Sequence, residues 1–154
     1  MTSAVIKNIG FPIMDKEQEE KRDFLPVFFR KLKQYNCDCF LEKGYGEKLG
    51  YTEEDYLEQN DRIVFAEREE VFKQDLIIVI RVPEFESLDL IKPHAGLLSM
   101  LHYETRPLLL NKLKEQKIHS FSLDGIVDDK NQRMMVTYEM TALGGIYTSF
   151  PGIK

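Results

Sequence analysis

Residues 75–85 read DLIIVIRVPEF, and this stretch decides the fold. Leu76 to Ile80 are apolar at every position, as in a strand covered on both faces by helices. Arg81 follows directly, and Pro83 cannot continue a central strand because it has no N–H to donate. A strand buried on both faces belongs to a parallel sheet, and Arg81 stands at its carboxyl end.

Strand-length apolar runs recur on either side of it, at Val5 to Phe11, Cys37 to Glu42, Arg62 to Phe65, Gly96 to Leu101 and Ile118 to Leu123. Met134 to Tyr138 is a candidate for a further strand. Helical stretches separate these runs, the pattern of an α/β domain with a mainly parallel sheet. Pro26 suits a first helical turn, after which Val27, Phe28, Leu32 and Tyr35 fall near one face. Thr52 to Asp55 has the form of a capping box with Asp in place of Glu. Thr105 can cap a helix over Pro107 to Gln116, with Leu109, Leu110 and Leu113 as its inward stripe.

At 154 residues, 43% hydrophobic and 31% charged, the chain has the size and composition of one soluble globular domain. No window approaches the ~18 apolar residues of a membrane span. The N-terminal MTSAVIKNIGFP lacks a basic region followed by an apolar signal core, so a cytoplasmic location and no membrane partner are expected. A net charge of −5, with Lys and Arg interspersed among acids, gives no footprint for nucleic acid. Cys37 and Cys39 are too close along one strand for an unstrained disulfide, and they read as reduced, structural thiols.

In a parallel α/β sheet the ligand crevice lies outside the carboxyl ends of the strands. Those positions are Pro12 to Arg22, Lys43 to Gly50, Arg81 to Phe85, His102 to Thr105 and Asp124 to Asp129. The second contains G-x-G-x-x-x-G, one residue longer than the dinucleotide fingerprint, and reads as a structural turn. Gly144-Gly145 lacks a third glycine, so no cofactor-binding motif is complete.

His102 ends an apolar strand and stands in the crevice, where an imidazole can transfer protons near neutrality. The alternative is a histidine bonded only to a neighbouring backbone group. His94 precedes its strand and His119 lies near the start of one. No His, Cys and acid set has metal-ligand spacing. Arg81 at the neighbouring strand end can hold a carboxylate through two parallel hydrogen bonds, or form an ion pair with Glu84 or Glu104. Lys21 and Arg22 add positive charge after the first strand, where a solvated face also accounts for either one, and three cationic groups with a histidine around one crevice suggest a small anionic ligand. No serine lies on a nucleophile elbow. Asp124 follows a strand, as does a phosphoacceptor in a signalling receiver, but the companion acidic pair after the first strand is absent. Asp128 to Asn131 reads as a polar turn.

In order along the chain, EEKRDFLP, FLEKGYGEKLGYTEEDY, DLIIVIRVP, SMLHY and LDGIVDD resemble the N-terminal domain of the alanine dehydrogenase and nicotinamide nucleotide transhydrogenase family. Saccharopine dehydrogenases and carboxyethyl-ornithine synthases are similar in the same region. The resemblance runs from about Ile9 to Gly145. It implies a Rossmann-like (flavodoxin-like) three-layer α/β fold and the substrate-binding half of an NAD(P)-dependent amino-acid or opine-type dehydrogenase. NAD(P) would be bound mainly by a second domain not present in this chain. An oxo acid or amino acid is the implied substrate, and a homo-oligomer the implied assembly.

The family's carboxylate-binding arginine falls on Arg22, with Lys21 as the alternative on strict alignment to Pro26. Its histidine falls on Leu101-His102, with the implied role of bonding the substrate oxo group and exchanging a proton. Its lysine falls on Arg81, a departure, since arginine stays charged at accessible pH and serves only as donor and cation. A complete member continues into its nucleotide-binding domain where this chain stops, at Lys154. The chain is then a piece cut at a domain boundary, a split-gene product, or a retained module that binds a small carboxylate or docks on a partner without catalysis. By itself it is expected to have little or no turnover.

Overall fold

The computed structural model describes residues 6–14 and 23–132. Six strands form one sheet: β1 (Asn8–Phe11), β2 (Asp38–Glu42), β3 (Ile63–Ala66), β4 (Leu76–Arg81), β5 (Gly96–Met100) and β6 (His119–Ser122). They are ordered β3-β2-β1-β4-β5-β6, and each neighbouring pair is parallel. This is the doubly wound Rossmann order, with a topological switch point between β1 and β4. The six apolar runs from Val5 to Leu123 thus correspond to strands, with ends shifted by a few residues. The candidate strand at Met134 to Tyr138, the pair Gly144-Gly145, Lys21 and Arg22 lie outside the described residues.

Two apolar clusters fill the layers beside the sheet. One joins Ile77, Val79, Leu97 and Leu101 to Leu109 and Leu113, and the other joins Ile9, Phe11, Leu41 and Ile78 to Phe29 and Tyr56. Helix α1 (Pro26–Leu32) begins at its proline as expected, but its fully buried residue is Phe29. Val27 and Tyr35 are exposed instead, which corrects the predicted stripe. Phe29 packs edge-on against Phe11 and Tyr56, so the helix is rotated to put its largest contact on the sheet.

Helix α2 (Glu53–Gln59) has the predicted box: Thr52 Oγ1 accepts from the Asp55 N–H, and the Asp55 carboxylate accepts from the Thr52 N–H. Two single-turn helices, α3 (Arg68–Val71) and α4 (Phe85–Leu88), follow β3 and β4. Helix α5 (Pro107–Glu115) buries Leu109 and Leu113. Its N-cap is Arg106, and Thr105 does not cap it. The Thr105 hydroxyl donates to the His102 carbonyl instead, because Tyr103–Thr105 forms a separate 3-10 turn.

Gly10 on β1 allows an unusually close approach of α3. A Cβ there would lie 2.1 Å from the Val71 carbonyl oxygen. The polar turn at Asp128 is also present, with the Asp128 carboxylate accepting from the Lys130 and Gln132 N–H groups.

Candidate functional site

The carboxyl end of β4 departs from regular pairing. Ile78 is opposite Leu98, whereas Arg81 is opposite Met100, so β4 carries one extra residue. Such a bulge re-aims the side chains beyond it. The buried Ser99 hydroxyl donates to the Ile80 carbonyl across the irregularity, at 3.2 Å. Arg81 is the last residue of the strand and is half-buried.

On the adjacent strand, His102 follows β5 with φ 49° and ψ 52°. A histidine in this left-handed region needs its backbone held from both sides. Its N–H donates to Asp124 Oδ1 at 3.4 Å, and its carbonyl accepts from the Thr105 N–H and hydroxyl. The other Asp124 oxygen lies 3.4 Å from His102 Nδ1. One carboxylate therefore touches both the backbone and the ring of His102, and the alternative of a ring bonded only to backbone is not what is found. A carboxylate against Nδ1 occupies that ring nitrogen and leaves Nε2 as the one a ligand could meet.

Asp124 is itself fixed by the Ser122 hydroxyl, which donates to Oδ1. Burial works against its charged form, but the hydrogen bonds from Ser122, the His102 N–H and its own N–H, with the nearby imidazole, together hold it below the usual carboxylate range. His102, Tyr103, Glu104, Thr105, Ser122 and Asp124 border a hollow of about 280 Å³. The sequence reading placed Asp124 at a strand end but did not connect it to His102. The two lie 22 positions apart, and only the β5–β6 pairing of Ser99 with Ser122 brings them together.

Near the switch point, the peptide of Ile13 is gripped from both sides. Its N–H donates to Glu42 Oε2 at 2.7 Å, and its carbonyl accepts from Arg68 Nη1 at 3.1 Å. Arg68 also pairs with Glu42 at 2.8 Å, bonds Ser87 on α4 through Nη2, and lies over the Phe72 ring. These ties bind the chain after β1 to the ends of β2, β3 and β4.

Asp23 has its carboxyl pushed upward by burial, although the Gly46 N–H donates to it. His94 and His119 lie apart from His102, at the amino ends of β5 and β6, with rings 6.1 Å apart. Among the described residues, no three His, Cys, Asp or Glu side chains are grouped to hold a metal ion.

The glycine loop after β2 does not fit a dinucleotide. Gly44, Gly46 and Gly50 all have positive φ, as turn residues do. The space beside Gly46 is filled by the Tyr56 hydroxyl, 2.2 Å from where a Cβ would stand. That hydroxyl donates to the Phe24 carbonyl, so the missing side chain accommodates the core and not a pyrophosphate. No helix among the described residues is long and apolar enough to cross a membrane.

Residues 14–143 match the family described as alanine dehydrogenase/PNT, N-terminal domain. The chain is 25% identical over 118 residues to NAD(P) transhydrogenase subunit alpha of Haemophilus influenzae, covering 77% of this chain and 23% of that protein. It is 25% identical over 121 residues to alanine dehydrogenase of Bilophila wadsworthia, covering 79% and 32% respectively. The chain thus spans a third or less of the length of these curated relatives. The transhydrogenase structure from Sinorhizobium meliloti superimposes with a TM-score of 0.76 at 16% identity, over 90% of this chain and 42% of that one, a likeness of fold. The strand order and the match over most of the chain agree: this protein belongs to the alanine dehydrogenase/PNT N-terminal domain family.

Proposed function

We propose that this chain is the substrate-binding half of an NAD(P)-dependent amino-acid or opine-type dehydrogenase, interconverting an oxo acid and an amino acid. The observation that carries this reading is His102 at the carboxyl end of β5, with Asp124 against Nδ1 and Arg81 ending the adjacent strand. In this reading Arg81, with Arg22 or Lys21, holds the substrate carboxylate. The His102 ring, through Nε2, bonds the oxo oxygen and relays the proton with which that oxygen leaves as water when the amine condenses at the carbon, the C=N bond so formed being the one that is reduced. Asp124 is a positioning residue that fixes the imidazole. Arg81, unlike a lysine, supplies fixed positive charge and takes no part in proton transfer.

NAD(P), when bound, supplies or accepts the hydride, and its seat is assigned to a nucleotide-binding domain, since the glycine loop here is filled by Tyr56. Such a domain, in cis or in trans, is the implied partner, and a cytoplasmic homo-oligomer the implied setting. The chain by itself should turn over little or no substrate.

Supplying the chain with a nucleotide-binding domain tests the proposal. NAD(P)H oxidation should appear with an oxo acid and an amine source, and His102→Ala should abolish most of it. An unchanged rate in His102→Ala refutes the proton-transfer role. Saturable oxo-acid binding without redox activity in any combination would favour a non-catalytic carboxylate-binding module instead.

A further inference from the structure

A second hollow, of about 370 Å³, opens between the chain after β4 and the start of α5. Val82, Pro83 and Leu109 are buried in its lining, whereas Phe85 and Leu108 stand 44% and 73% exposed. Large apolar side chains held this far into water beside a buried apolar floor are the usual setting of a site for apolar matter. Thr105 lines both this hollow and the one at His102, so the two meet across a single residue. Val82 follows Arg81 directly, so the groove begins where the proposed carboxylate-binding residue ends.

We infer that this groove receives the side chain of the substrate, and that the substrate is an oxo or amino acid with a bulky apolar substituent, branched or aromatic. The inference rests on the reading that Arg81 and His102 hold the oxo-acid head. A head anchored at the ends of β4 and β5 sends its substituent either to solvent or across Thr105 into the groove. The groove has the volume of small-molecule sites, about 300–1,000 Å³, and the methyl group of pyruvate would leave most of it empty. Glu84 and Arg106 contribute one charge of each sign to the lining, so an anionic tail gains no net attraction there. An apolar substituent covers Phe85 and Leu108 and displaces water from the floor.

Calorimetric titration of the full chain with pyruvate, 4-methyl-2-oxopentanoate, phenylpyruvate and 2-oxoglutarate tests this. One of the two apolar acids should bind about tenfold or more tighter than pyruvate, and 2-oxoglutarate should gain no such advantage. Leu108→Asp, at an exposed position that tolerates the change, should reduce the preference to about threefold or less. His102→Ala should weaken all the acids together and leave the preference in place. Equal affinity for pyruvate and the apolar acids, a preference for 2-oxoglutarate, or a preference that survives Leu108→Asp overturns the groove assignment, even with His102→Ala still weakening binding. If His102→Ala changes no affinity, or if no oxo acid binds, the underlying reading fails and the groove assignment with it.

Discussion

Replacing Arg68 by Met keeps an apolar stem over Phe72 and removes the guanidinium that bonds Ile13, Glu42 and Ser87 at 3.1, 2.8 and 2.9 Å. The side chains of Arg68 and Glu42 are only 25% and 16% exposed, so water cannot fully take over these bonds. Removing one partner of a buried pair costs about 3–5 kcal/mol, and discounting for the remaining exposure leaves about 2–3 kcal/mol. Part of that cost is the stranded Glu42 carboxylate, which would keep the Ile13 N–H but lose the opposing charge. Arg68→Met combined with Glu42→Gln should therefore recover about 1 kcal/mol relative to the single variant. Urea unfolding followed by circular dichroism measures both, given equal slopes for all variants. A loss below about 0.5 kcal/mol for Arg68→Met, or a double variant no more stable than the single one, would refute the claim that this pair holds the chain after β1.

Gly10→Ala should cost about 3 kcal/mol or more, or prevent folding, because its Cβ meets the Val71 carbonyl oxygen of the backbone at 2.1 Å; a thermal melt within a few degrees of the parent contradicts this packing. The Asp75 carboxyl is held below its usual range by its hydrogen bond from Lys92 and, against the cost of burial, by the N–H groups of Lys7 and Asn8. A depressed carboxyl contributes stability above its unfolded value, about 3.9, that is lost as pH falls through its folded value. Asp75→Asn should thus cost of order 1 kcal/mol near neutral pH, with the gap closing in urea melts run toward pH ~2, and a gap independent of pH, or one that widens as pH falls, would contradict a depressed carboxyl. Burial, with Cys37 beside it, pushes the Cys39 thiol up to about 12, so maleimide should label it at neutral pH only at the rate of unfolding, and prompt labelling of the native protein would contradict its environment.

The sheet was legible because Leu76 to Ile80 is apolar at every position and Gly96 to Leu101 at nearly every one, as suits strands covered on both faces, with helical stretches between the runs. Helix starts were legible where a local group carries them, as at Pro26 and Thr52, and the cap failed at Thr105, which closes the separate 3-10 turn Tyr103–Thr105 and leaves Arg106 at the N-cap position. The four-residue helices α3 and α4 are too short to show a period. At the site, His102 and Arg81 were visible because each interrupts or ends an apolar run. Asp124 was visible as a strand-end acid, but its contact with His102 depends on register between β5 and β6. The β4 bulge that turns Arg81 is likewise a property of pairing: nothing in LIIVIR marks the extra residue until Met100 is found opposite Arg81.

The direct test of the account is where an oxo acid meets the chain. In histidine side-chain NMR spectra of the full-length protein, titration with 4-methyl-2-oxopentanoate or phenylpyruvate should shift the His102 imidazole resonances saturably, with the Arg81 guanidinium signal moving along the same curve. His94 and His119, at the amino ends of β5 and β6, should stay fixed. No saturable change at His102, or changes confined to His94 and His119, would contradict the assignment of the substrate site to the carboxyl ends of β4 and β5.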